Sequence, residues 1–198
     1  MAWLVGLLWS GWSPFDRTTW ALEVAPVVIA LPLLWLTRDR FPLSGLALLL
    51  IGIHGAILML GGAYSYARVP LGDWLQSAMA LERNPYDRIG HFAQGFVPAI
   101  VVRELLWRIG DIRGRLLTML VLCCCLAISA MYELVEFGAA VALGQGADEF
   151  LGTQGDPWDT QWDMLMCLVG AVTALVFLGG VHDRALEHLG RTQSETER

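Results

Sequence analysis

The sequence contains no lysine, and charged residues of every kind make up only 16% of its 198 residues. A soluble domain carries about 25% charge, so the shortfall excludes an ordinary water-facing surface and points to lipid as part of the solvent. Without lysine there is no phosphate-binding P-loop, which needs a Gly-Lys-Ser/Thr end. A Gly-x-Ser-x-Gly elbow and a Cys-x-x-Cys pair are absent too, which removes the usual signatures of a serine hydrolase and of a dithiol redox centre. The di-iron bundle is disfavoured, because it needs Glu-x-x-His on each of two helices. The apolar first 12 residues lack a basic start and a small-residue cleavage site, so they do not read as a signal peptide. They are too short for a full span and form either a short first helix or the remnant of a longer one. Cysteine is scarce and lies inside apolar runs: Cys123, Cys124 and Cys125 are adjacent and Cys167 stands in another run, all read as small packing residues.

What the chain does have is length of hydrocarbon. Hydrophobic residues make up 56% and mean hydropathy is +0.53. Residues 46–66, 116–132 and 164–181 are runs close to the roughly 20 residues that cross a bilayer, and 20–35 and 89–107 are similar with a few polar residues. None alternates like a strand, and backbone groups in hydrocarbon must pair within their own segment, so each is a helix. The expected fold is an all-α polytopic membrane bundle of five or six transmembrane helices built from repeated hairpins. One short interfacial helix is added within 69–82, where Leu71, Trp74, Leu75, Ala78 and Met79 recur at helical spacing. Residues 1–182 form one transmembrane domain, and 183–198 a charged, unstructured cytoplasmic tail.

The arginines set the orientation. Nine of the 13 fall at 37–42, at 103–115 and in the tail, and four (Arg17, Arg68, Arg83 and Arg88) fall on the other side. The excess of basic residues marks the cytoplasmic face, so the C-terminus is cytoplasmic. Twelve of the 19 acidic residues lie on the outer side. An acidic outer mouth attracts cations and repels anions, so nucleic acid is excluded as a partner and membrane lipid is the expected one. Oligomeric state is not legible.

Three segments share one pattern of cap residue, proline, aromatic and aspartate: Ser13-Pro14-Phe15-Asp16, Asn84-Pro85-Tyr86-Asp87 and Asp156-Pro157-Trp158-Asp159. Their prolines are 71 and 72 residues apart, which suggests an internal repeat. Each should open a helix, with the first residue as N-cap, proline at the first helical position and aspartate closing a box-like contact. By that reading Asp16, Asp87 and Asp159 are first of all caps. One turn later the copies diverge to Trp20, His91 and Asp163, which capping does not explain.

Polar residues then gather at one depth. Asp87, His91 and Gln94 lie along one helix, Glu133 and Glu136 share a face of the next, and Asp159 and Asp163 open the last, preceded by Asp156 in a Gly- and acid-rich loop. An ionisable group inside a span costs about 2.5–3.5 kcal/mol on insertion scales, so these side chains should face one another or a wet cavity. Three readings stand. The first is a divalent-cation site on His91, Glu133, Glu136 and Asp163, since oxygen ligands with one imidazole suit a hard or borderline ion. The second is acid–base machinery built on crowded carboxylates. The third is a structural polar core neutralised by Arg17 and Arg88. His54, alone in mid-span, reads as a packing residue, and Arg103 and Glu104 as snorkelling or paired at the inner end.

The segments PYDRIGHFAQGFVPA (85–99), YELVEFGAA (132–140) and FLGTQGDPWDTQWDM (150–164) resemble the YjdF family of small bacterial inner-membrane proteins over nearly the whole chain. More distantly, Asp87-x-x-x-His91-Phe92, a downstream Glu, and Asp163 followed by Gly170 resemble the VanZ-like proteins, although Met166 and Cys167 stand where that pattern has Asn. The resemblance implies a bacterial inner membrane and an envelope role, and names no substrate. On residues and resemblance together, the expected function is an outward-facing acidic and histidine site for a divalent cation or a cationic or lipid-linked envelope ligand. The alternatives are a membrane-embedded hydrolase or transferase acting on a lipid headgroup with metal or paired carboxylates, and a scaffold with no ligand.

Overall fold

The computed structural model describes residues 2–143 and 154–196, and every described residue in regular structure is helical. In order the α-helices are α1 (Ala2–Trp12), α2 (Arg17–Thr37), α3 (Gly45–Tyr64), α4 (Pro70–Met79), α5 (Tyr86–Arg108), α6 (Gly114–Leu143) and α7 (Asp159–Thr196). Among the described residues, α2, α3, α6 and α7 are long and apolar enough to cross a membrane. Large apolar side chains cover their outer faces, among them Leu36, Leu49, Met119, Val176 and Phe177, all exposed as a lipid-facing surface requires.

The fifth apolar stretch is a different case. Helix α5 is 23 residues long but carries Asp87, Arg88, His91, Arg103, Glu104 and Arg108, which keeps its hydropathy low. It is tolerated because α5 is the hub: α7, α6 and α3 all pack against it, so its polar residues meet protein rather than lipid. Around it lies the main apolar core, with Val97, Ala99 and Ile100 of α5 against Ala47, Val121, Cys125, Cys167 and Ala171. Cys125 and Cys167 are packed against backbone, their sulfurs 3.8 Å from the Gly95 oxygen and 3.5 Å from the Cys125 oxygen.

Helices α5 and α7 approach closely because glycine lets them. A Cβ on Gly95 would fall on the carbonyl of Cys167, and one on Gly170 would fall on the carbonyl of Phe92. Small residues at a crossing allow two backbones to touch, which is how membrane helices gain packing energy without a hydrophobic drive between them.

The N-terminal stretch forms the short α1, eleven residues and roughly 16 Å long. It is tied to its neighbours by aromatic residues on glycine: Trp3 lies against Gly55 of α3, and Trp20 of α2 lies against Gly11. The Trp20 indole also donates to Ser10 Oγ at 3.1 Å. The short helix expected within 69–82 forms as α4, with Leu71, Trp74 and Met79 exposed. The chain beyond the expected domain end at 182 differs from the sequence reading, since α7 continues as helix to Thr196 instead of giving way to an unstructured tail. Helix-forming residues follow 182 without a proline, with Gly190 alone interrupting them.

The three repeated helix starts are used in different ways. Asn84 and Asp156 do accept backbone N–H groups two residues ahead, from Tyr86 at 3.0 Å and Trp158 at 2.9 Å. In the first copy Ser13 does not cap; Asp16 is itself the N-cap and accepts from the Thr19 N–H at 2.7 Å. Asp87 and Asp159 are not caps, because their carboxylates are taken by arginine and histidine partners. The Thr19 amide holds the Asp16 carboxyl below the ordinary carboxylate range. The cap's contribution is therefore complete above that range and fades as pH falls through the lowered value. Asp16→Ala should cost about 0.5–2 kcal/mol, read as a lower midpoint in thermal unfolding at neutral pH and a much smaller difference in strong acid.

Candidate functional site

Helices α5 and α7 both start at the same end of the bundle, and their first turns build most of the site. Their repeat-equivalent residues His91 and Asp163 meet there, with His91 Nε2 3.8 Å from Asp163 Oδ2. The same nitrogen is 3.5 Å from Asp87 Oδ1, one turn earlier on α5. Both contacts are longer than a good hydrogen bond. All three side chains are buried, at 7%, 7% and 3% exposure for Asp87, His91 and Asp163. Their ligating atoms lie within 4.8 Å of one another.

The imidazole is oriented by Gln94, whose Oε1 is 3.0 Å from His91 Nδ1. An amide oxygen only accepts, so Nδ1 carries the hydrogen and Nε2 is left pointing at two carboxylates. A bare lone pair facing two carboxylate oxygens is repulsive, so a proton or a metal ion belongs between them. Glu133 reaches the other side of the ring, its Oε1 3.8 Å from Nδ1.

Two arginines hold the far sides of the carboxylates. Arg83 lies 3.3 Å from Asp87 Oδ2 and 3.7 Å from Asp156 Oδ2, and it also pairs closely with Asp159. Arg88 lies 3.0 Å from Asp156, 3.3 Å from Asp159 and 3.5 Å from Asp163 Oδ1. Arg17, one of the two expected neutralisers, is exposed instead, and Arg83 takes that place. Four carboxylates (Asp87, Asp156, Asp159 and Asp163) thus share two guanidinium groups, and a fifth, Glu133, faces the imidazole instead. Glu133 Oε1 and Asp163 Oδ1 are buried with no hydrogen-bond partner among the described residues. The arginines do not complete the set, and the excess is negative.

Asn84 fixes this end of α5. Its amide donates to Val69 O at 3.2 Å and Asp73 Oδ1 at 2.8 Å, and its backbone exchanges two bonds with the Gln154 side chain. The loop before α7 is thereby anchored at Gln154; Asp148 and Glu149, in the Gly- and acid-rich loop, lie outside the described residues.

Of the eight residues singled out in the sequence, seven form this cluster, Gln94 by orienting His91. Glu136 lies apart, in the wall of an adjoining cavity of about 380 Å³. That cavity brings in three residues the sequence reading did not place at a site. Glu23 of α2 and Tyr132 of α6 are joined by a 3.0 Å bond from the phenol to Glu23 Oε2, and Tyr66 is packed between Gly61 and Gly90. The signal for Glu23 was available: it is a lone acid in an otherwise apolar run. Asp87, His91 and Gln94 face this cavity as well, so one histidine borders both spaces.

The opposite end holds a second polar group. Glu104 Oε1 accepts from Ser44 N at 2.9 Å and Arg108 Nη1 at 2.8 Å, and its Oε2 accepts from His182 Nε2 at 3.1 Å. His182 Nδ1 in turn accepts from Arg103 Nη1 at 2.9 Å, and Arg103 Nη2 donates to Asp183 at 2.6 Å. No buried side-chain nitrogen or oxygen of this group lacks a hydrogen-bond partner among the described residues, which distinguishes it from the acidic cluster.

Comparison with known proteins agrees with the helices. Residues 1–184 match the family described as "Predicted membrane protein (DUF2238)". The chain is 53% identical to the "Inner membrane protein YjdF" of Escherichia coli (strain K12) over 185 residues, covering 93% of this chain and 88% of the relative. No solved structure matches it. The chain belongs to the DUF2238 family of membrane proteins.

Proposed function

We propose that this multi-pass membrane protein holds a divalent cation at Asp87, His91 and Asp163, with Glu133 in reach, on the non-cytoplasmic side of a bacterial inner membrane. The observation that carries this reading is the spacing of the three ligating atoms. Around a tetrahedral ion with bonds of about 2.0–2.1 Å, neighbouring ligands stand about 3.4 Å apart. The His91 to Asp87 and His91 to Asp163 separations of 3.5 and 3.8 Å are close to that and too long for direct bonding. Gln94 plays the part that second-shell groups play at metal histidines, fixing the tautomer so that Nε2 is free. Three protein ligands would leave one position for water or a ligand. Glu136 is not part of the compact group, so this set replaces the His91, Glu133, Glu136 and Asp163 set with one in which Asp87 takes a place.

The orientation rests on the arginines, nine of 13 of which favour the Glu104 end or the tail. Five spans follow if α5 crosses with α2, α3, α6 and α7. A membrane-embedded hydrolase or transferase is the second reading, favoured by the fact that Asp87 and His91 line both the cation site and the apolar cavity beside it. The test is elemental analysis of detergent-purified protein beside His91→Ala and Asp163→Asn. One equivalent of a divalent metal in the parent, falling below roughly a tenth in each variant, is expected from the 10–100-fold losses that follow damage to a metal site. Metal-free parent protein after supplementation with zinc, manganese and magnesium would exclude the reading.

A further inference from the structure

The cavity beside the cation site is a tall groove rather than a pocket. Its α5 wall runs from Asp87 to Val102, fifteen residues and roughly 22 Å, within a hydrocarbon layer about 30 Å thick. The α2 wall is Glu23, Pro26, Ala30, Leu33 and Leu34. Helix α2 packs on α3 and touches α1, while α5 is engaged by α7, α6 and α3. The α2–α6 contact that closes the groove's top is the Tyr132 phenol, bonded to Glu23 and 3.4 Å from Leu22 O. That carbonyl is available because Pro26, four residues on, has no N–H to give it. Below this contact the walls are apolar apart from Gln94 and His54.

The polar end of the groove is acidic and aromatic. Glu23, Glu136 and Asp87 line it with Tyr66, His91, Gln94 and Tyr132, and no arginine is among the described lining residues. No hydrogen bond to Glu136 occurs among the described residues. A second polar feature lies deeper: His54 lines the groove, and its Nε2 is enclosed without a hydrogen-bond partner. His54 is eight residues, roughly 12 Å, below Gly62, which touches Glu23. Buried polar atoms are rarely left unpaired, so a ligand that supplies a polar group partway along its length fits this wall better than a plain hydrocarbon.

We infer that the groove holds one glycerolipid with an amine headgroup: the ammonium between Glu23 and Glu136 beside the two phenols, the ester linkage near His54, and an acyl chain against Ala30, Leu33 and Val101. Carboxylates with aromatic neighbours suit an ammonium and disfavour an anionic head. The site goes beyond the cation reading: Asp87 and His91 border both spaces, but Glu23 and Glu136 are not among the proposed cation ligands, so either reading can fail alone.

The test uses full-length protein in nanodiscs of equal phosphatidylethanolamine and phosphatidylglycerol, extracted into detergent, with retained lipid measured by native mass spectrometry and bound metal measured on the same samples. Phosphatidylethanolamine should be retained roughly tenfold over phosphatidylglycerol, a factor of ten in affinity. Glu23→Gln with Glu136→Gln should bring that ratio near one while leaving metal content unchanged. Ala30→Trp, which fills the groove, should remove both lipids; Leu34→Trp is the second variant if the first does not fold. Equal retention of the two lipids by the parent protein overturns the inference, as does a selectivity that survives the double Glu→Gln change. Loss of metal alone would count against the cation site and not against the groove.

Discussion

Glu104→Ala should lower the unfolding free energy by about 3–5 kcal/mol, the largest single-residue effect expected outside the helix crossing. Glu104 and His182 are both fully buried, at 0% exposure. The carboxylate accepts from three helices or their ends: Ser44 at the start of α3, Arg108 of α5 and His182 of α7. Arg103 only donates, so His182 Nδ1 accepts and Nε2–H must donate to Glu104; the chain of bonds is directional and leaves no slack. Removing the carboxylate strands the His182 N–H and part of the Arg108 guanidinium in an apolar surround, and desolvation of unpaired partners is what makes such deletions expensive. Glu104→Gln keeps the shape and one acceptor, so it should cost clearly less. Thermal unfolding of both variants in one detergent reads the difference. Equal, small losses would mean that water satisfies this end of the bundle.

The second large effect is expected at the α5–α7 crossing. Gly95→Val places a branched side chain where the Cys167 carbonyl already stands. The obstacle is backbone, which cannot rotate aside as a side chain can, so the helices must separate. Overpacking commonly costs 1–3 kcal/mol and more where the surround cannot yield. Separation would also pull Asp163 away from His91, one α-helical turn toward the N-terminal ends. Gly95→Val should therefore lower both the unfolding midpoint and the metal content, whereas Gly179→Val, at a position with open space, should change neither.

These two sites show what was legible in the sequence and what was not. Length and apolarity were sufficient for α2, α3, α6 and α7, because lipid selects for a property each segment has by itself. Helix α5 was recognisable as a helix, but its place at the centre depends on pairing with other segments, and Gly95 against Cys167 leaves no mark in either local pattern. The meeting of His91 with Asp163 could be read from the repeat, since both stand one turn after a shared Pro-aromatic-Asp start and both helices begin on the same side. The same repeat misled on capping. Asp87 and Asp159 share their place with Asp16, yet two arginines near them draw their carboxylates away from the helix ends. Arg83 was missed as a partner because it lies in the turn before α5, where no helical periodicity indicates its direction. Glu23 was not placed at a site, since its bond to Tyr132 spans 109 positions of chain.

The acidic end is distinguished from the Glu104 end by being incomplete, and that difference is the centre of the account. Buried carboxylate oxygens without a hydrogen-bond partner, a histidine nitrogen turned toward two acids, and five carboxylates against two arginines all call for an added cation. The direct measurement is thermal unfolding of the parent protein and of Asp163→Asn, each with a divalent metal and with a chelator. A cation that binds only the folded state at a hundred times its dissociation constant adds about 2.7 kcal/mol. The account predicts a raised midpoint with metal for the parent and coincident curves for Asp163→Asn. Coincident curves for the parent across zinc, manganese and magnesium would contradict it, and would make the cluster a structural ion-pair network.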